Sequence, residues 1–379
     1  MRNRWMSDRL RSFASYPFAE VNRAKSSVPK GFLIDMGVGD PDLPPPDAIQ
    51  EKLVEALEKT NIHRYPSYAG EKFFKDAVIE YMKSRFGVSL SRENVLCLIG
   101  SKEGIFHLPF AILNPGDKAF YTVPGYPVYK AGIEIAGGKG YPISLEEALG
   151  FKFNPDDIPD GMKLGFVNYP NNPTGSSATI EFYDRLITRA KRDNFIIAND
   201  AAYAEIYYNN PPPSILELPG ALDNAVEFHS FSKTFSMTGW RVGFVVGNAD
   251  VTSALGTLKK NIDSGVFRAI QYAVAWGMQH PELIEDIRSV YHSRMKLLVD
   301  GLKSAGWDVR FPDATFYLWA RVPEGSNSME FAKYLIKKTG IVAVPSILLC
   351  DASSRYIRFS VTLPDEKIKE AVERIKRLV

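Results

Sequence analysis

The sequence predicts an α/β protein, with a large domain built on a mostly parallel, mixed sheet flanked by helices and a smaller α+β domain after it. Three observations predict this. Short apolar runs rich in Val, Ile and Phe recur between Asn94 and Val246, several separated by helix-period stretches such as Ile180–Ala190; buried strands alternating with helices argue for a parallel sheet. Beyond about residue 270 the pattern changes to a long helix over Pro281–Leu302, strands over Phe316–Val322 and Tyr356–Val361, and a last amphipathic helix over Glu366–Leu378, with Ile368, Val372, Ile375 and Leu378 on one face. A chain of 379 residues, 45% of them hydrophobic, is also too long for one simple core and suits about two domains. The boundaries drawn are an arm over 1–44 that packs with the small domain, a large domain over 45–270, and a small domain over 271–379.

Along the chain, "GVGDPDLPPPDAIQ" (Gly37–Gln50) reads as an extended crossing, then a helix start at Pro46 or Asp47 and a helix over Ala48–Leu57. The strands of the large domain are Val95–Ile99, Ala119–Val123, Leu164–Val167, Phe195–Ala198, Ala225–Phe228 and Val242–Val246. The first five are followed by "GSKEG", "PGYPVY", "NYPNNPTG", "NDAAY" and "HSFSK". The carboxyl edge of an open α/β sheet is where ligands bind. Five polar, chemically capable segments in a row on that edge are hard to explain by solvation alone.

Composition excludes several partners. The formal net charge is +2 with 24% charged residues, which gives no electrostatic case for nucleic acid or an anionic membrane. The basic cluster Arg185–Arg192 reads as a solvated helix face. Cys97 and Cys350 sit in apolar runs and read as buried free thiols; the five histidines lack metal-ligand spacing. No stretch is long and apolar enough for a membrane span. The N-terminus lacks the apolar core of a secretory signal; its arginines leave a transit peptide as the lesser alternative, and a cytoplasmic protein is the default.

Each polar segment has an ordinary reading beside a chemical one. "GSKEG" is a common strand-to-helix turn, here entering a helix at Ile105; a helix N-terminus also attracts phosphate. Tyr126 is either a packed core ring or a platform for a flat ligand. Asn172, on a Pro-stiffened turn, can fix an amide donor. Asp200 is either exposed or held against a cation. Lys233, in "SFSKTFSMTGWRVGF", would be neutral in only about one molecule in 2,500 at pH 7 if unperturbed. Phe231, Phe235 and Trp240 could desolvate it, and Ser230 and Arg241 suit an anion such as phosphate. A phosphate site, a stacking ring, a carboxylate and an amine together fit pyridoxal phosphate.

With these residues in place the sequence closely resembles the class I and II aminotransferases, of the pyridoxal-phosphate-dependent fold type I. The resemblance covers nearly the whole chain from about Ser7. It rests on "GVGDPDLP", "HRYPSYAG", "GSKEG", "PGYPVY", "YPNNPTG", "NDAAY", "SFSKTFSMTGWRVGF" and "RFS" in family order. Within the family it is most similar to the branch of LL-diaminopimelate and glutamate–pyruvate aminotransferases. The resemblance implies a Schiff-base, ping-pong transfer from an L-amino acid to a 2-oxo acid, with 2-oxoglutarate and glutamate as one pair. It implies Lys233 as the lysine joined to the cofactor and Asp200 as partner of the ring nitrogen. Tyr203 and Asn172 would bond the ring's phenolate oxygen, and Tyr126 would stack on the ring. Ser101, Lys102, Ser230 and Arg241 would hold the phosphate. Tyr65 would reach the phosphate of a neighbouring subunit, which implies a homodimer with shared sites. Arg358 would bind the substrate α-carboxylate, with Gly39 close by and Asn172 also on the substrate.

One segment departs from the family. Where members usually read Pro-Gly-x-x-Phe-Gly ahead of the carboxylate arginine, this chain reads "PSILLC", Pro345–Cys350. That leaves the substrate open among LL-diaminopimelate, alanine and aspartate. A C–S lyase or other lyase on the same fold is the alternative activity.

Overall fold

The computed structural model describes residues 5–11, 19–349 and 355–378. After a short strand β1 (Ile34–Asp35), the central sheet is built from β2 (Val95–Leu98), β3 (Lys118–Val123), β4 (Lys139–Ser144) and β5 (Met162–Val167), then β6 (Ile196–Asp200), β7 (Ala225–Ser230) and β8 (Gly243–Gly247). Their spatial order is β2-β8-β7-β6-β5-β3-β4. Strands β3 to β7 pair in parallel, while β8 is antiparallel to both β7 and β2. It follows that β2 runs with β7, and the C-terminal ends of every strand but β8 share one edge. Alternate residues pack into different layers: Ile197 joins the apolar cluster on one face and Ala198 that on the other. A sheet covered on both faces explains why its strands read as continuous apolar runs.

The sequence located six of these seven strands. It missed β4, "KGYPIS", whose Gly140 and Pro142 argue against a strand. β4 pairs with β3 alone, at the sheet's edge, where a proline is tolerated. Strands β6 and β7 run two residues past the predicted ends, so Asp200 and Ser230 close their strands instead of following them. The helix expected from Ile105 begins at Ser101, directly after Gly100, which takes a φ of 95° that suits glycine. The helix after Pro46 spans Asp47–Leu57.

The C-terminal part has its own sheet and core. Strands β9 (Tyr317–Arg321), β10 (Ile341–Val342), β11 (Val344–Pro345) and β12 (Tyr356–Ser360) follow the long helix Glu282–Ser304. The order β11-β12-β9 is antiparallel throughout, and β1 pairs in parallel with β10. The long helix buries Ile287, Tyr291, Met295, Leu298 and Leu302 in the same cluster as Ile368, Val372 and Ile375 of the last helix, Asp365–Lys376. With β1 held there, Gly37–Asp40 passes over to the edge where β2, β6 and β7 end.

One expectation about the surface is corrected. Arg185 and Arg192 on the helix Ile180–Asp193 are exposed, but Arg189 is buried. It donates to the Ile158 carbonyl at 2.6 Å and pairs with Asp160 and Asp193, which supply what water supplies its neighbours. Cys97 is a buried free thiol; Cys350 lies outside the described residues. Among the described residues no His, Cys, Asp and Glu group could hold a metal, and no helix is long and apolar enough to cross a membrane.

Candidate active site

At the shared strand edge lies a cavity of about 520 Å³. Gly39, Ser101, Lys102, Tyr126, Asn172, Asp200, Tyr203, Ser230, Lys233, Arg241 and Arg358 all line it. Tyr65 does not: its side chain is 82% exposed, and only its backbone carbonyl is engaged, by Arg268.

Lys233 sits in the short helix Phe231–Thr234 that β7 feeds directly. Its Nζ donates to the Gly39 carbonyl at 2.9 Å and stands 5.4 Å from the centre of the Phe316 ring. Burial pulls its pKa down to about 8, and Arg241 and Arg358 push the same way. The rings expected to desolvate it lie elsewhere. Phe231 and Phe235 stack on each other and line a separate cavity behind the lysine, and Trp240 lines neither cavity. Helical geometry explains this, because residues two apart point to different sides.

Asp200 ends β6 and is buried with no Lys or Arg partner among the described residues. Tyr129 donates its hydroxyl to Oδ2 at 2.7 Å, and the Ala202 amide donates to Oδ1 at 3.2 Å. Burial raises its pKa to about 6 against the pull of those two bonds. Of the two sequence expectations, exposure is corrected, since the side chain is buried. Tyr129 was not singled out, although it lies three residues after Tyr126 in "PGYPVY". That spacing puts both on one side of the helix start, and the rings meet edge to face.

Arg358, on β12, donates Nη1 to Asn172 Oδ1 at 2.7 Å and Nη2 to the Gly37 carbonyl at 2.8 Å; its Nε is buried without a partner. The Tyr317 ring lies against the guanidinium, 4.1 Å away, and the Tyr317 hydroxyl receives a bond from Tyr203 at 3.2 Å. Tyr317 was also not read from "TFYLWA". Its hydroxyl stands 1.7 Å from where a Cβ on Gly39 would be, which is why that position needs glycine.

Arg241 takes a left-handed φ of 55° and donates to the Thr238 and Ile99 carbonyls and to Ser232. Its guanidinium lies so close to Gly100 that a Cβ there would meet it at 2.6 Å. It therefore sits at the start of the Ser101–Ile112 helix, an N-terminus that no side chain caps. The departing segment is part of the wall: Leu348 and Leu349 line the cavity, and the Leu349 carbonyl accepts from the Gly125 amide at 2.9 Å.

The donor set suits pyridoxal phosphate. A buried carboxylate without a cation matches a protonated ring nitrogen. An amine with lowered proton affinity matches an aldehyde. An uncapped helix N-terminus beside an arginine matches a phosphate.

Comparison with known proteins agrees. The family model for aminotransferase class I and II matches residues 33–375. An LL-diaminopimelate aminotransferase of Aquifex aeolicus is 46% identical over 381 aligned residues, covering 98% of each chain. One of Halothermothrix orenii is 46% identical, covering 98% of this chain and 97% of that protein. Among solved structures, substrate-bound BacF of Bacillus subtilis superposes with a TM-score of 0.91 at 33% identity, over 97% of this chain and 96% of that one. An aspartate aminotransferase of Thermus thermophilus with maleate gives 0.91 at 25% identity, over 99% and 100%.

Proposed function

Because this chain belongs to the pyridoxal-phosphate-dependent class I and II aminotransferases, we propose that it transfers the amino group of an L-amino acid to a 2-oxo acid at the cavity around Lys233, with 2-oxoglutarate and glutamate as one pair. The observation that carries the reading is the convergence of Asp200, of Lys233 with Arg241, and of Arg358 on one cavity from three separate stretches of chain. The relatives' names favour LL-diaminopimelate as the first amino donor to test, ahead of alanine and aspartate. The comparisons do not favour the lyase reading.

When bound, pyridoxal phosphate supplies an aldehyde for the amino group and a protonated ring that takes up the electrons of a breaking Cα–H bond. Asp200 would accept a hydrogen bond from the ring N–H at its carboxylate and so keep that nitrogen protonated, with Tyr129 and the Ala202 amide holding the carboxylate in place. Lys233 would join to the aldehyde. Once displaced by substrate, its Nζ would move the proton off Cα. Burial, which pulls its pKa down to about 8 in the chain alone, favours the neutral amine that this step needs. Ser101, Lys102, Ser230 and Arg241 would hold the phosphate, and Tyr126 would stack on the ring. Tyr203 would reach the ring oxygen by releasing Tyr317. Arg358 would clamp the α-carboxylate with the planar fork that lysine lacks, Asn172 orienting it and Gly39 leaving room.

The test is amino transfer by holoenzyme across paired amino and oxo acids, starting with LL-diaminopimelate and 2-oxoglutarate. Transfer following ping-pong kinetics supports the reading. Pyruvate and ammonia released with no oxo acid present would refute it.

A further inference from the structure

The helix start that would meet the cofactor's phosphate carries a charge of the wrong sign. Glu103 stands in the first turn of the helix Ser101–Ile112, and its side chain is almost fully buried. A carboxylate there competes with a phosphate for the same free amides and repels it. Burial by itself would raise its pKa, but its contacts with His107, Lys259 and the Ile99 amide hold it below the usual carboxylate value, so it is charged.

Lys259 answers that charge. It ends the helix Ala249–Lys259 and, at 1% exposed, is the one fully buried lysine among the described residues. A buried ammonium needs partners, and this one has two. Its Nζ donates to Glu103 Oε2 at 3.1 Å and to Asp263 Oδ2 at 2.6 Å. Asp263 is fixed in turn by the Gly265 amide, which donates to Oδ1 at 2.7 Å. The Glu103 oxygen that takes Lys259 also accepts the Ile99 amide at 3.0 Å, and the Ile99 carbonyl accepts Nη2 of Arg241 at 3.3 Å. One residue of backbone therefore joins the ion pair to the arginine. It lies directly ahead of Gly100, where a Cβ would meet the Arg241 guanidinium at 2.6 Å.

We propose that Lys259 is a positioning residue for the cofactor's phosphate: it offsets the charge of Glu103 and keeps that carboxylate on the Ile99 amide, so that the helix start and Arg241 are left to the phosphate. This rests on the aminotransferase reading, which puts the phosphate there. Without Lys259 the carboxylate is buried and under-compensated, a costly state. It then turns to the nearest donors, the free amides of its own helix start and Arg241, which are the donors the phosphate needs.

The test titrates the full-length chain, freed of cofactor, with pyridoxal phosphate and with pyridoxal, which lacks the phosphate, and follows the visible absorption. Wild type should bind the phosphorylated form at least about a hundredfold more tightly. Lys259→Met should cut that preference about tenfold or more, while affinity for pyridoxal stays within about twofold of wild type. A merely structural loss would weaken both forms alike, or neither. Combining Lys259→Met with Glu103→Gln removes both charges and keeps an oxygen for the Ile99 amide, so the preference should return to within about threefold of wild type. Glu103→Gln alone removes the like charge and should raise the preference about twofold or more, which decides the matter if Lys259→Met does not fold. A preference left intact in folded Lys259→Met, not restored in the double variant, or not raised by Glu103→Gln would overturn the proposal. Wild type that binds both forms equally would overturn the phosphate site itself, and this proposal with it. The first failures leave the aminotransferase reading standing, and only the last one touches it.

Discussion

Lys233 gives a test that needs neither cofactor nor substrate. Its pKa is about 8 in the folded chain and 10.5 for an unperturbed lysine. Between those values the unfolded chain binds more protons, so folded stability rises with pH through that window. Cofactor-free wild type should therefore gain stability relative to Lys233→Met from pH 8 to pH 10.5, by at most about 3 kcal/mol. Urea titrations of the pair at each pH check it; parallel curves would contradict the burial argument. Tyr129→Phe removes one of two donors on Asp200. The carboxyl should then protonate more readily, so the acidic limb of the kcat/KM profile should move to higher pH, with a loss of about tenfold or more at neutral pH. Arg358→Lys keeps the charge and loses the fork, so KM for the amino acid should rise about tenfold or more while the cofactor's absorption stays unchanged. These residues differ in how legible they were. Lys233, Asp200 and Arg358 stand in recognisable segments. Tyr129 and Tyr317 act through one hydroxyl or one ring face, and a tyrosine in an apolar stretch has the same sequence signature when it only fills a core.

At the scale of elements, the strands were readable because both faces of the central sheet are covered, which makes each central strand an apolar run. The edge strand β4 was not, since an edge relaxes the demand for such residues. The helix starting at Ser101 was placed four residues late because "GSKEG" carries no apolar period, although its first turn is the part that would meet a phosphate. The crossing at Gly37–Asp40 read only as an extended segment, with Gly39 placed near the substrate by the family resemblance. It passes beside Arg358 and Lys233, giving each a backbone carbonyl, and these contacts span more than 190 residues of chain. Gly39→Ala tests that close approach. Its new Cβ would stand 1.7 Å from the Tyr317 hydroxyl, so the ring that backs Arg358 must move. KM for the amino acid should rise about tenfold or more, and cofactor content should be retained. Unchanged kinetics would show that the crossing yields freely.

For the whole molecule, apolar periodicity indicated a change of architecture near residue 270, and the structure gives the C-terminal part its own sheet. Pairing of β1 with β10 joins the two ends of the chain, a contact two-residue strands cannot announce in sequence. Tyr65 is the residue to which the family resemblance would give a role on a second chain. It is exposed and outside its own cavity, which leaves it free for the shared-site homodimer that we propose from the resemblance. Tyr65→Ala and Lys233→Ala, each impaired alone, should recover up to about a quarter of wild-type activity when mixed under exchange, because a hybrid dimer carries one intact site. Failure to exceed the sum of the parents would argue for sites complete within one chain. The central claim, reversible amino transfer at Lys233, is tested most directly by the visible absorption of holoenzyme during additions of LL-diaminopimelate and then 2-oxoglutarate. A yellow band that bleaches with the amino acid and returns with the oxo acid, and that Lys233→Ala cannot cycle, is the predicted result. A band that never responds to any amino acid, or that cycles equally without Lys233, would contradict the account.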